Sequence, residues 1–234
     1  DSYVFSGCTG LQSVTIGNGA TISSNAFSGC TGLQSVTFLG SAPTIGEDAF
    51  NDCTGLTGVY INDLKAWCEV QFANHRANPI YYAKKLYLNN QPLTDLVIPD
   101  GITTIHAYAF RNCTDLTSVT IPDSVTTIGH SALYGCTSLT SVTIPDSVTT
   151  ISDYAMSECT ALTSVDLLEN LITIGNGAFK NCTGLQSITI PDSVTTIGQQ
   201  AFYFCGDLQS IVIPESVSTI GESAFGECRG LQSI

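Results

Sequence analysis

Residues 121–143 read IPDSVTTIGHSALYGCTSLTSVT, and residues 190–212 read IPDSVTTIGQQAFYFCGDLQSIV. The second stretch restates the first after three intervals of 23 residues. The cysteines keep the same beat. Cys113, Cys136, Cys159, Cys182, Cys205 and Cys228 stand 23 apart, and Cys8, Cys30 and Cys53 stand 22 and 23 apart. A constant period of this length is the mark of a solenoid. The ten cysteines contain no CxxC pair, whereas structural zinc sites draw ligands two to four residues apart. The repeating unit is IPDSVTTIGxxAFxxCTxLxSVT.

Local chemistry predicts the path of one unit. Val119 and Ile121 alternate with Thr120 after Leu116, which reads as a short strand. Pro122 cannot donate to a ladder, and Pro-Asp-Ser opens a turn. Val125 to Ile128 is a second extended piece, ended by Gly129. Ala132, Leu133 and Cys136 share the spacing of one short helical turn. No unit can bury its Leu, Val, Ile, Phe and Cys alone, but stacked units cover one another. Strand starts recur at Leu11, Leu33, Leu56, Leu93, Leu116, Leu139, Leu162, Leu185, Leu208 and Leu231. About ten rungs at roughly 4.8 Å each predict a parallel sheet about 50 Å long. The cysteines fall at one inward phase and are expected to form a column of buried free thiols.

Composition narrows the function. The 234 residues are 43% hydrophobic and 12% charged, with seven Lys and Arg against twenty Asp and Glu, net −13. Such a surface repels phosphate backbones and anionic lipid, which argues against nucleic-acid and membrane-surface partners. No apolar run nears the roughly 18 residues that a membrane span needs. HExxH, P-loop and GxGxxG patterns are missing from the sequence. Ser131 and Ser223 lack the following glycine of a nucleophile elbow. His106 and His130 sit near one phase of adjacent units without a third ligand, and no metal or other cofactor is expected.

One unit breaks the beat. Leu56 to Leu93 spans 37 residues, and the excess lies in NDLKAWCEVQFANHRANPIYYAKKLYLNNQP, residues 62–92. Asn62 or Asp63 can cap a short helix with Leu64, Trp67 and Cys68 on one face. Ile80 to Leu88 reads as a helical turn or a strand, and Asn89-Asn90 as a turn. The unit holds the only Trp and four of the seven basic residues, Lys65, Arg76, Lys84 and Lys85. Two readings compete: a wider arc with Trp67, Phe72 and Tyr82 as core filler, or a projecting patch of Tyr and Lys that anchors a partner.

The 23-residue unit, with its AF-x-x-C landmarks and the DLKAWC and NPIYYAKKLYLN pieces, resembles the BspA-like leucine-rich repeat proteins. Leu133 and Met156 in place of Phe, DLLENLITIG at 166–175 and FLGSAPTIG at 38–46 are mild departures. The resemblance implies a right-handed, β-rich α/β solenoid, with a parallel sheet on its concave face and short helical or 3-10 turns on the other. Residues 1–234 then form one solenoid with a long unit at 56–92. It further implies a secreted or cell-surface, non-enzymatic adhesion module, whose partner is a protein or glycan on a host or microbial surface. The alternative is a structural spacer or self-assembling surface element.

Candidate partner-binding residues follow from breaks in the outward rows. One strand row reads Thr15, Thr37, Tyr60, Val97, Thr120, Thr143, Asp166, Thr189 and Val212. Its interruptions at Tyr60, Val97 and Asp166, with Tyr81, Tyr82, Lys84, Lys85 and Tyr87 of the long unit, are the expected contact residues. A neighbouring row of Thr and Gln is expected to bond hydroxyl to hydroxyl. Asp100, Asp123, Asp146, Asp192 and Glu215 recur at the IPD turn, as solvated turn formers or a weak calcium edge. Neither end carries a polar cap, which predicts a longer parent chain or end-to-end stacking of copies.

Overall fold

The structure is a computed structural model describing residues 2–40 and 44–234. Residue 1 and residues 41–43, within the variant stretch FLGSAPTIG, lie outside the described residues. The SVT segments form the predicted parallel strands. Ser13–Ile16, Ser35–Phe38, Gly58–Ile61 and Leu86–Leu88 pair in that order, and antiparallel Gln91–Pro92 closes the edge. A second sheet holds Asp95–Val97, Ser118–Thr120, Ser141–Ile144, Ser164–Leu167 and Ser187–Ile188. The short TI pieces make their own parallel ladder from Thr104–Ile105 to Thr219–Ile220, and Thr44–Ile45 pairs with Gln71–Phe72. Equivalent residues face one another throughout, for example Val142 with Val165 and Ile151 with Ile174.

Two expectations need correction here. The main sheet is not continuous, because the Leu86–Leu88 strand spends its free edge on the hairpin to Gln91–Pro92. Asn89 and Asn90 both take positive φ (51° and 63°), the geometry of a tight hairpin turn. The Asp95–Val97 strand therefore starts a new sheet. The long unit is also no mere wider arc. The stretch read as a helical turn or a strand, Ile80 to Leu88, holds both, the helix Ile80–Ala83 and the strand Leu86–Leu88, which adds a rung of its own.

The expected helical turn is replaced by something more useful. The AFxxC segment is a run of turns with two left-handed residues four apart: Tyr108 and Asn112 (φ 66° and 63°), then Ser131 and Gly135 (52° and 70°), then Tyr154 and Glu158 (56° and 62°). The alternation sorts the backbone donors. Tyr108, Phe110 and Asn112 donate forward to the carbonyls of His130, Ala132 and Tyr134 (3.0, 2.9 and 2.7 Å), while Ala109, Arg111 and Cys113 donate three residues back. A helix would keep every N–H for itself and leave the next rung without donors.

Side chains extend the rung-to-rung bonding. Thr117, Thr140 and Thr163 each donate Oγ1 to the carbonyl of the Thr one rung earlier (3.1, 3.3 and 3.1 Å). The expected hydroxyl-to-hydroxyl row is thus corrected: the partner is backbone. The serine of the PDS turn does likewise, Ser124 to Ile102 (2.9 Å) and Ser216 to Val194 (2.8 Å). The cysteine Sγ of one rung donates to a carbonyl of the rung before, Cys136 to Phe110 and Cys182 to Met156 (3.3 and 3.2 Å). Between these layers one apolar cluster runs from Ile16 to Cys228, with phenylalanines stacked 5.2–5.4 Å apart where they recur.

All ten cysteines are free, and Cys8 alone among them is exposed. A thiol reagent added to the native protein is expected to modify Cys8 and spare the other nine until the chain unfolds. Rapid native modification of most thiols would contradict the buried column. Burial pushes the thiols of Cys53, Cys68 and Cys159 up to about 12. The folded state then holds protons that the unfolded state releases, so stability is complete below the ordinary thiol value of about 8.5 and is lost as pH climbs toward 12. Urea midpoints are expected to be lower at pH 10 than at pH 8, with an equal midpoint as the contrary result.

Candidate functional site

The long unit works as an adapter between two regular stacks. Asp63 caps the helix Leu64–Cys68, accepting from the Ala66 N–H at 3.0 Å as the sequence suggests. That helix buries Trp67 against Phe38 and Phe72. The indole Nε1 donates 3.1 Å to the Ala109 carbonyl of the following rung. Asn78 is fully buried; its amide donates to Tyr108 and Ala109 carbonyls (2.8 and 3.3 Å) and its oxygen accepts from the Ile80 N–H. Toward the preceding rung the logic inverts. The N–H groups of Asp48 and Asp52, which in a regular stack reach backbone carbonyls, reach Asn74 Oδ1 (3.4 Å) and the Tyr82 hydroxyl (2.9 Å). Side chains thus stand in for peptide groups on both faces. Trp67 and Phe72 are core, and Tyr82 is half-buried with its hydroxyl engaged.

On the outward face of the first sheet the adapter makes its clearest surface feature. Tyr60 and Tyr87 are register partners, and their rings stack 4.7 Å apart at 12°. Both lean across Gly58, where a Cβ would come within 3.0 Å of each ring. Other strands carry Ser at this position, as at Ser35 and Ser118. Tyr60 and Tyr87 are both expected contact residues, but their pairing had no signal beyond the change from SVT to GVY at 58–60, because Tyr87 in KLY at 85–87 had not been placed in the row.

The turn side carries a second feature. Lys84 lies 5.2 Å over the Tyr81 ring, and Tyr81 meets His75 edge-on at 5.0 Å. From His75 the rings continue through Tyr108, His130 and Tyr154 at 6.3, 5.4 and 5.8 Å. The track ends at Gly177, where a Cβ would sit 2.5 Å from the Tyr154 ring. Burial foremost lowers the proton affinity of both histidines, and the Arg111 charge adds to it. The suggested His106–His130 pair is corrected: His130 lies between two tyrosines, because the two histidines are one residue out of phase.

The remaining candidates do not gather. Lys85 pairs with Asp115 at 3.6 Å, both side chains partly exposed. Val97, 59% exposed, and Asp166 lie on the second sheet, three strands apart. Thr143 donates to Asp166 at 3.4 Å. Among the described residues no group of three His, Cys, Asp or Glu could hold a metal ion, and no helix is long and apolar enough to cross a membrane.

A family model described as a BspA type leucine-rich repeat region, in six copies, matches residues 1–88, 80–206 and 161–234. A search of the curated proteins finds no match. Among solved structures, a leucine-rich repeat protein from Eubacterium ventriosum is similar at 22% identity and TM-score 0.61, over 98% of this chain and 79% of that one. One from Bacteroides ovatus is similar at 22% identity and TM-score 0.51, over 100% and 69%. The pneumococcal vaccine antigen PcpA is similar at 14% identity and TM-score 0.56, over 95% and 66%. These likenesses concern the fold.

The adapter makes a stability prediction. Asn78→Ala orphans the buried Ile80 N–H and removes one of two hydrogen bonds at each of the Tyr108 and Ala109 carbonyls, and is expected to cost about 1–3 kcal/mol. A urea melt checks it; a loss under ~0.5 kcal/mol would show the adapter is not held by this amide.

Proposed function

This chain belongs to the BspA-type leucine-rich repeat family, and from that premise we propose that it is a non-enzymatic binding module presented at a cell surface or secreted. Its partner is a protein or glycan on a host or microbial surface. The observation that carries the reading is the Tyr60–Tyr87 stack over Gly58. Two aromatic rings stand on a sheet face whose neighbouring positions carry Thr, Ser and Gln, with the Thr57 hydroxyl bonded to the Gln34 carbonyl. Pre-stacked tyrosines offer contact area with little conformational entropy left to lose, the trait of an interface anchor. The sheet does not need them for pairing, since Thr15 and Thr37 fill the same row.

Lys84 and Lys85, exposed, and half-buried Tyr81 extend the same unit's surface. Val97 adds an exposed apolar side chain at the edge of the second sheet.

Beads coated with the protein are expected to attach to epithelial or bacterial cells, and the double variant Tyr60→Ser, Tyr87→Ser to attach at least about tenfold less, on hot-spot magnitudes. The variant should melt within about 5 °C of the parent, because the side chains lie on the outward face. Attachment by neither protein, or equal attachment by both, would overturn the sheet-face reading.

A further inference from the structure

Arg111 is the most unusual side chain in the molecule. Its guanidinium carbon stacks 3.6 Å from the centroid of the Tyr134 ring. Its Nε is buried and finds no hydrogen-bond partner. Among the described residues the ion pairs are Lys85 with Asp115 and Arg229 with Glu227, so no carboxylate answers Arg111. This is odd in a chain where acids outnumber Lys and Arg twenty to seven.

The surroundings compound the oddity. Lys84 is close enough to feel the Arg111 charge, which, after burial, weakens its hold on a proton. His75 and His130 feel it too. The facing acids do not pair with it directly: Asp48 accepts a hydrogen bond from the Asn74 amide, Asp153 binds Asn176, and Glu158 binds Asn181 and the Tyr134 side chain that Arg111 also meets. Two like charges left together without a counter-ion are costly in the free protein, and an arriving anion relieves that cost. Beside them runs the ring track from Tyr81 to Tyr154. Its rings stand 5.0–6.3 Å apart, edge-on or tilted to one another, with His130 exposed and the others half-buried, and their open faces suit the C–H faces of a pyranose.

We infer that Arg111 and Lys84, with the Tyr81–Tyr154 ring track, form a binding site for a carboxylated sugar chain. Arg111 and Lys84 take the carboxylate, and the rings carry the flanking sugars. An acidic peptide would satisfy the cations but has no use for a file of rings one rung apart. The inference deepens the binding-module reading by naming a ligand class, yet it rests on a different face from the Tyr60–Tyr87 stack.

The test uses the full chain and three probes in calorimetric titration: a hyaluronan hexasaccharide, maltohexaose and hexaglutamate. The hexasaccharide is expected to bind more tightly than about 1 mM, near the weak end of measurable affinity. Maltohexaose and hexaglutamate are expected to bind at least about tenfold more weakly, and Arg111→Gln to weaken the hexasaccharide by about tenfold or more. Lys84→Gln, at an exposed position, should act in the same direction and guards against a folding defect in the first variant. Tyr60→Ser, Tyr87→Ser should leave this binding unchanged. No hexasaccharide binding, equal binding of maltohexaose, tighter binding of hexaglutamate, or parental affinity in both cation variants would each overturn the inference. If beads attach to cells through the tyrosine stack while the hexasaccharide is ignored, only this inference fails.

Discussion

Every rung of this protein depends on the peptide groups of its neighbours. The 23-residue period brings each outward-pointing N–H opposite a carbonyl one rung away, on the sheet faces and on the turn side alike. Meeting that condition on the turn side requires two left-handed residues per rung, at sites such as Ser131, Tyr154 and Gln200 that carry side chains. Left-handed backbone is disfavoured for such residues. It persists because the forward hydrogen bonds of a whole stack hold it in place. The polar residues of the repeat follow from the same constraint: Ser, Thr and Cys each add a bond to backbone one rung earlier.

The long unit shows what happens when the period fails. A departure from 23 residues strips two faces of their regular partners. Trp67, Asn74, Asn78 and Tyr82 restore them by presenting an indole, two amides and a phenol where peptide groups would have stood. Aromatic and polar residues therefore concentrate in the adapter for structural reasons first. The surface features beside it, the Tyr60–Tyr87 stack and the start of the ring track, occur where the repeat's own rules are suspended and unusual side chains are tolerated.

The repeat was legible in the sequence because Cys, Leu and Ile recur at fixed phase, and periodicity survives substitution. The in-register parallel strands and the buried thiols past Cys8 followed from it; the cap, read as Asn62 or Asp63, and a core Trp67, one of two readings, came from local pattern in the long unit. The left-handed turn was not legible: spacing of three and four looks helical, and non-glycine residues such as Tyr108 and Phe204 give no warning of positive φ. Ile80 to Leu88 was legible as a helical turn or a strand and holds both, but without the SVT signature the register of Leu86–Leu88 was not, nor was the pairing of Tyr60 to Tyr87. The ring track was not legible either, since His75 meets Tyr108 only after 33 residues fold back, out of step with the 23-residue period. Of the candidate residues, Tyr60 and Tyr87 come together, as do Tyr81 and Lys84, whereas Val97 and Asp166 remain apart.

Removing one whole period tests the account most directly. A chain lacking residues 163–185 joins Leu162 to Gln186 at matching phase, while one lacking residues 163–174 joins the chain half a rung out of phase. Far-ultraviolet circular dichroism followed through a urea titration is expected to show the first variant folded with one cooperative transition, and the second without one. If both variants unfold alike, or both stay folded alike, then phase-matched hydrogen bonding between rungs is not what holds this protein together.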